Sequence, residues 1–314
     1  MKPPITLSIN PSYYCNLRCD FCYLTHEQLG DKQRLDLSQL AARLDEVEQH
    51  YHIQMVDLYG GETFMLPEAY LLELKEMLLA RGIDDINVIT NLTVKTPFIH
   101  DPDLYISVSY DFKAREKHEV TFERMLELSR PFTVLMLCSP ELLKEDPDEI
   151  IHTLNLLSNL ENVEVKPYSS NQSNQLNVTY NEYEAFVKAL ITSEIPKQFT
   201  LTNELHIEDA LSGERNAFSN DHLYITPNGK FGVLEFDRDE NEFFLELDNV
   251  EAYQEWCAVE YHRVQGNLFC SGCPYFGNCL SEHLREVKNL DDGCNGFYHL
   301  LKWAETENLY HGDH

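Results

Sequence analysis

A chain of 314 residues with 43% hydrophobic and 25% charged content is long enough for one barrel of about 200 residues plus a smaller unit. Its formal net charge of −29 argues against a nucleic-acid partner, whose phosphates need a basic patch, and suits a cationic substrate such as a basic peptide or an aminoglycoside; a solvated acidic surface is the plainer reading. The absence of an 18-residue apolar run and of a cleavage-type N-terminal signal predicts no membrane helix and no export, so nine spaced cysteines read as metal ligands in a reducing cytoplasm.

Short apolar runs alternate with amphipathic ones. Strands are expected over Ile5–Asn10, Gln54–Tyr59, Ile86–Thr90, Leu104–Ser109, Phe132–Cys138 and Val163–Lys166. Helices are expected over Leu37–His50, Pro67–Ala80, Val120–Leu128, Asp148–Leu157 and Asn181–Thr192. This alternation implies a parallel sheet with helices packed outside it, and six units suggest an open (β/α)6 barrel with its chemistry at the C-terminal strand ends.

After the first strand comes Tyr14-Cys-Asn-Leu-Arg-Cys-Asp-Phe-Cys-Tyr23. The C-x3-C-x2-C spacing of Cys15, Cys19 and Cys22 offers a cluster three thiolates and leaves one iron open to a cofactor. A zinc knuckle would want a fourth ligand close by, for which His26 is the nearest candidate, and a disulfide cannot pair three cysteines. Gly60-Gly61-Glu62 follows the second strand, 38 residues beyond the cysteine loop. Its two glycines let the backbone come close to a ligand, although a tight strand-to-helix turn uses the same residues. Thr90-Asn91 ends the third strand and Ser107-Val-Ser-Tyr-Asp111 the fourth, where polar side chains either cap the strand end or meet a ligand. The loop Tyr168–Asn177 either lines a substrate opening or is a plain linker.

A linker is expected near Glu204–Asn220, dividing the chain into units at 1–205 and 206–314. Leu223–Leu234 then reads as two strands around a Pro-Asn-Gly turn. Cys270, Cys273, Cys279 and Cys294 follow in a C-x2-C-x5-C spacing with a fourth cysteine 15 residues later, a closed set suited to a [4Fe-4S] cluster or to a structural zinc. Cys138 and Cys257 remain, each by default a small buried apolar residue.

The cysteine loop, including the aromatic Phe21 before the third cysteine, resembles the signature of the radical S-adenosylmethionine (SAM) enzymes, and Gly60-Gly61-Glu62 resembles their Gly-Gly-Glu element. The resemblance implies a [4Fe-4S] cluster on Cys15, Cys19 and Cys22 whose open iron takes SAM, with Gly60, Gly61 and Glu62 at the SAM amino group. Reductive cleavage would then give a 5'-deoxyadenosyl radical. Asn91 stands in a Thr-Asn-Gly-like element with Leu92 in place of glycine, and Ser109 and Asp111 in a Ser-x-Asp-Gly-like one with Phe112 in place of glycine. There Ser109 is expected at the SAM ribose and Asp111 at the ribose or the substrate.

The C-terminal cysteines resemble the SPASM and twitch extensions of that family, giving an α/β fold overall: a partial (β/α)6 radical SAM barrel followed by a small α+β iron-sulfur domain. Gly229 fits the SPASM glycine, but Leu234 and His283 stand where cysteines belong and none occurs between Gly213 and Ser219. The resemblance therefore implies one auxiliary [4Fe-4S] cluster rather than two. It also implies an oxidoreductase that modifies a ribosomally made peptide by crosslinking, epimerisation or oxidation. A flavodoxin- or ferredoxin-like electron donor is expected, and a separate leader-binding protein, since the first strand starts near Ile5. Cys138 would be a hydrogen-atom donor and Glu235, beside Leu234, a proton acceptor. The alternatives are a dehydrogenase or epimerase of a sugar or aminoglycoside, and an iron-sulfur electron carrier or redox sensor, which needs neither an open iron nor a SAM cradle.

Overall fold

Strand β1 (Pro4–Ile9) stands inside a sheet rather than at its edge. On one side it pairs with β2 (His52–Leu58), and then β3 (Ile86–Thr90), β4 (Tyr105–Ser109), β5 (Phe132–Leu137), β6 (Leu160–Lys166) and the two-residue β7 (Thr200–Leu201) follow in chain order, every pair parallel. On the other side it takes β8 (His222–Ile225), also parallel, and then the antiparallel β9 (Phe231–Asp237) and β10 (Glu242–Leu247). The computed structural model describes residues 1–168, 176–218, 220–237, 242–279, 293–294 and 296–310. Among these residues no helix is long and apolar enough to cross a membrane.

The helices form where the apolar spacing and the caps agree. Helix α1 (His26–Gly30) closes the cysteine loop with a Thr25/Gln28 capping box. In α2 (Leu37–His50) Asp36 caps the first turn and Leu40, Leu44 and Val47 share the buried face. In α3 (Glu68–Ala80) Leu71, Leu74 and Leu78 do the same. Next come α4 (His118–Glu127) and α5 (Pro147–Leu154), the latter begun by Asp146 and a proline in the first turn. Helix α6 (Tyr180–Thr192) starts on a Thr179/Glu182 capping box. The expected strands and helices of the first 192 residues are all present with ends moved by a few residues, and together they make the partial (β/α)6 barrel.

Alternation along the strands separates two faces. Leu7, Ile9, Val56, Val88, Val108 and Val134 are buried in the hydrophobic core. The residues between them form a polar face. Ser8 Oγ meets His222 Nε2 at 2.8 Å, Asn87 Nδ2 donates to Asp57 Oδ1 at 2.7 Å, and Ser107 Oγ donates to Asn87 Oδ1 at 2.9 Å.

The first half of the expected Glu204–Asn220 linker is instead helix α7 (Thr202–Ser212), within which the 205/206 division falls. Ile207 and Ala210 lie three apart and are buried, and Gly213 closes the helix at φ +82°. Asn203 anchors the start by bonding Val165 through both its N–H and its C=O. The hairpin turn is as expected: Thr226 N donates to Lys230 O, Gly229 N to Thr226 O, and Gly229 has φ +71°. Its strands, however, extend the barrel sheet, through Leu7 beside Leu223 and Ile9 beside Ile225. Beyond it lie α8 (Val250–Gln265), α9 (Leu268–Ser271) and α10 (Tyr298–Thr306).

Candidate active site

The cysteine loop leaves β1 at its C-terminal end and is held by its own backbone. Cys15 N donates to Leu29 O, Cys22 N to Cys19 O, and Ser12 Oγ to Gln33 O. Backbone N–H groups are directed at the sulfurs: Leu17 at Cys15 (3.4 Å), Glu116 at Cys19 and Leu24 at Cys22. Burial raises all three thiols, Cys22 to about 11, while those N–H donors act the other way. Buried thiols with N–H donors around them fit a positively charged iron-sulfur cluster core, which supplies the charge that thiolates need in a desolvated place.

The Gly-Gly-Glu turn is pressed against this loop. Gly61 N donates to Ser12 O at 3.0 Å and Glu62 N to Tyr14 O at 2.9 Å. A Cβ on Gly61 would lie 2.3 Å from the carbonyl oxygens of Tyr13 and Tyr14, and one on Gly60, at φ +137°, 2.7 Å from Ser12 O. The close approach that the glycines permit is thus made to the cysteine loop itself. Glu62 is 2% exposed and fully engaged. Its Oε1 accepts from Thr90 Oγ1 (2.7 Å) and Phe64 N (3.1 Å), and its Oε2 from Asn91 N (2.7 Å). Burial raises its pKa, and those hydrogen bonds pull it back.

Asn91 is brought to the loop as well, its Nδ2 donating to Asn16 Oδ1 at 3.1 Å and lying 3.8 Å from Cys15 Sγ. Leu92 and Phe112, which replace the expected glycines, both have positive φ, +56° and +51°. The chain keeps the glycine-type bends and builds them from bulky residues. Ser109 lies half-buried at the end of β4. Asp111 is fully buried and committed to its own chain, accepting from Leu137 N through Oδ1 and from Arg115 through Oδ2 at 2.6 and 2.7 Å.

Arg115 escapes sequence reading, although it stands four residues after the Ser-x-Asp element. Its guanidinium sits 5.2 Å from the centroid of the Phe21 ring and acts electrostatically on Cys15, Cys19, Cys22 and Glu62. Cys138 continues the parity of Val134 and Met136, is fully buried, and interacts with Glu182 and Tyr183 of α6; it lies on the helix-facing side of the sheet. Burial pushes its thiol up to about 12. Cys257 is half-buried in α8, near Tyr51. Glu235 falls in β9 with its side chain outside the described residues, where His283 and residues 169–175 of the Tyr168–Asn177 loop also lie.

The four C-terminal cysteines come together. Cys270, Cys273, Cys279 and Cys294 line one pocket, walled by Phe218, Phe269, Phe276 and Tyr298. Cys270 N donates to Asn267 Oδ1, and Gly296 N points at Cys294 Sγ. Among the described residues no group of three or more His, Cys, Asp or Glu side chains is set as ligands to a single metal ion.

Residues 9–109 match the family model of the Radical SAM superfamily. Among solved structures, native anSMEcpe with bound AdoMet and Cp18Cys peptide aligns at TM-score 0.64 and 15% identity, over 98% of each chain. Streptococcus suis SuiB bound to S-adenosylmethionine aligns at 0.59 and 15%, over 96% of this chain and 75% of that one. SuiB bound to the precursor peptide SuiA aligns at 0.53 and 16%, over 74% of this chain and 59% of that one. At these identities the likeness is one of fold. No curated protein matches the sequence.

Proposed function

We propose that this chain, whose residues 9–109 match the Radical SAM superfamily model, is an enzyme that cleaves SAM reductively and takes a hydrogen atom from a ribosomally made peptide. When bound, a [4Fe-4S] cluster and SAM supply the 5'-deoxyadenosyl radical that abstracts the hydrogen. The observation that carries this reading is the clamp of Gly60-Gly61-Glu62 on the loop of Cys15, Cys19 and Cys22. Those cysteines would hold the cluster. Glu62 already takes three donors, so its role is to fix the turn, leaving the SAM ammonium to the turn's backbone carbonyls. Arg115, a cation 14% exposed beside the three thiols, suits the SAM carboxylate. Tyr23, the residue after Cys22, packs its ring 6.5 Å from that of Tyr59 at the end of β2.

A second [4Fe-4S] cluster on Cys270, Cys273, Cys279 and Cys294 is part of the proposal. Four thiols that line one pocket suit a four-iron cube with a thiolate at each corner. The peptide substrate is supported by the net charge of −29, which favours a basic partner, and by the precursor peptide bound to SuiB. An electron donor of flavodoxin or ferredoxin type would supply the electron.

The test is iron and sulfide analysis with Mössbauer spectra after anaerobic reconstitution. About eight irons are expected, falling to about four in a Cys15/Cys19/Cys22→Ala variant. The reduced protein should convert SAM to 5'-deoxyadenosine, and a fully loaded, reduced protein that leaves SAM intact overturns the reading.

A further inference from the structure

We propose that the outer edge of β10 is a peptide-docking edge, on which an extended basic segment of the substrate adds as a further strand. The inference rests on the peptide-substrate reading and gives it a place on the molecule.

The sheet has two ends. One is β7, only two residues long; the other is β10, with six, and among the described residues no strand lies outside it. Backbone phase fixes which groups face outward. The bond from Thr226 N to Lys230 O makes Tyr224 and Gly232 a bonded pair, so Gly232 turns its backbone groups towards β8. Phe231 and Val233 then turn theirs towards β10, where they meet Leu247 and Leu245. Alternation directs the N–H and C=O of Glu246 away from β9. Its side chain does not cover them, since Oε1 is drawn back by Thr226 Oγ1 and Asn228 Nδ2, both at 2.9 Å.

An exposed edge of this length pairs indiscriminately unless charge restricts its partners. Glu246 and Asp248 are the charged side chains described on and just after β10, and both are acidic; with the chain's net charge of −29 they favour a basic strand and disfavour an acidic one. Leu245, 38% exposed on the opposite face from Glu246, offers an apolar contact to alternate side chains of an added strand. The edge is also continuous with the candidate active site. β10 runs parallel to β1, so its C-terminal end lies on the side where the cysteine loop leaves the sheet. The Phe244 ring is 6.4 Å from that of Tyr23, the residue after Cys22, and 5.0 Å from that of Tyr224. A strand added about 4.8 Å outside β10 would run to the mouth of the barrel.

The probes are three fluorescein-labelled decapeptides: one alternating Lys and Val, its Glu and Val counterpart, and the Lys/Val peptide N-methylated at every second residue. Binding to the full, reconstituted chain is followed by anisotropy. The Lys/Val peptide should bind, and the other two should bind about tenfold more weakly or worse, the loss expected from one or two hydrogen bonds or from like charge. Glu246→Pro removes an outward N–H without touching the ladder to β9 and should cost a similar factor relative to Glu246→Ala, which keeps that N–H. Equal binding of the methylated and unmethylated Lys/Val peptides overturns the docking edge and leaves the peptide reading intact, whether or not the proline variant folds. Failure of the native chain to bind the Lys/Val peptide while it still cleaves SAM overturns the docking edge alone, whereas a loaded, reduced chain that leaves SAM intact overturns the reading it rests on.

Discussion

The guanidinium of Arg115 lies over the ring of Phe21 while two of its nitrogens hold one oxygen of Asp111, so a single side chain ties the end of β4 to the cysteine loop. Asp111 is fully buried, and its other oxygen takes the backbone N–H of Leu137. The pair therefore joins β4, β5 and the loop at one point. Removing one partner of a buried ion pair leaves the other charge without compensation, at a cost of about 3–5 kcal/mol. Arg115→Met should lower stability by that order in urea melts and reduce iron uptake on reconstitution. Arg115→Met combined with Asp111→Asn, which removes the charge and keeps an acceptor for Leu137 N, should recover most of the stability but not the cluster. A double variant as unstable as the single one would show that the pair is not the source of the loss.

Gly61 gives a sharper geometric test. Alanine there puts a methyl 2.3 Å from two carbonyl oxygens of the cysteine loop, both backbone and unable to swing aside. Either the loop or the turn must move, and with it the hydrogen bonds from Gly61 N and Glu62 N. Gly61→Ala should lose most of its iron and melt several degrees lower, an effect of about 2 kcal/mol or more for backbone strain of this kind. Gly30→Ala meets nothing within 4 Å and should load iron as the native chain does. Equal iron in the two variants would mean that the clamp does not shape the cluster loop.

Leu92 and Phe112 set backbone conformation against packing. Each has a positive φ that costs a bulky residue about 1–2 kcal/mol, and Leu92 is fully buried. Leu92→Gly relieves the strain but deletes a buried side chain, a loss of about 2–5 kcal/mol with the cavity. The net expectation is destabilisation by about 1–3 kcal/mol in urea unfolding. A more stable variant would show that the site collapses around the glycine and that strain outweighs packing.

The same two residues show how far the sequence can be read. A glycine-type bend after β3 and after β4 follows from family likeness, but its survival without glycine is decided by the packing around it. The strands and both cysteine sets were legible because period and spacing are local properties. The union of β8 with β1 is not local: it joins Leu7 to Leu223. Arg115 was invisible for the same reason, since only the fold sets it against Phe21. Cys138 is different. Its parity with Val134 and Met136 is a local property of the sequence, and placing it by strand end alone hid that it shares their buried side of the sheet.

Asp57 provides a test that depends on pH. Burial raises its pKa above the usual carboxylate range, opposed by the hydrogen bond from Asn87 and by the charge of Lys166. A carboxyl whose folded pKa is raised binds protons more tightly folded than unfolded, so its contribution to stability falls as pH rises. The penalty is absent below the unfolded value of 3.8 and fully present above the folded one. Asp57→Asn keeps an acceptor for Asn87 and removes the charge. Urea melts of native and variant protein from about pH 4 to pH 7 cancel the other carboxylates in the difference. The variant should gain on the native chain as pH rises through this window and hold that gain at neutral pH. A difference that stays flat, or turns the other way, would mean that Asp57 is stabilised as a carboxylate by its neighbours and that the polar face of the barrel is better solvated than its burial implies.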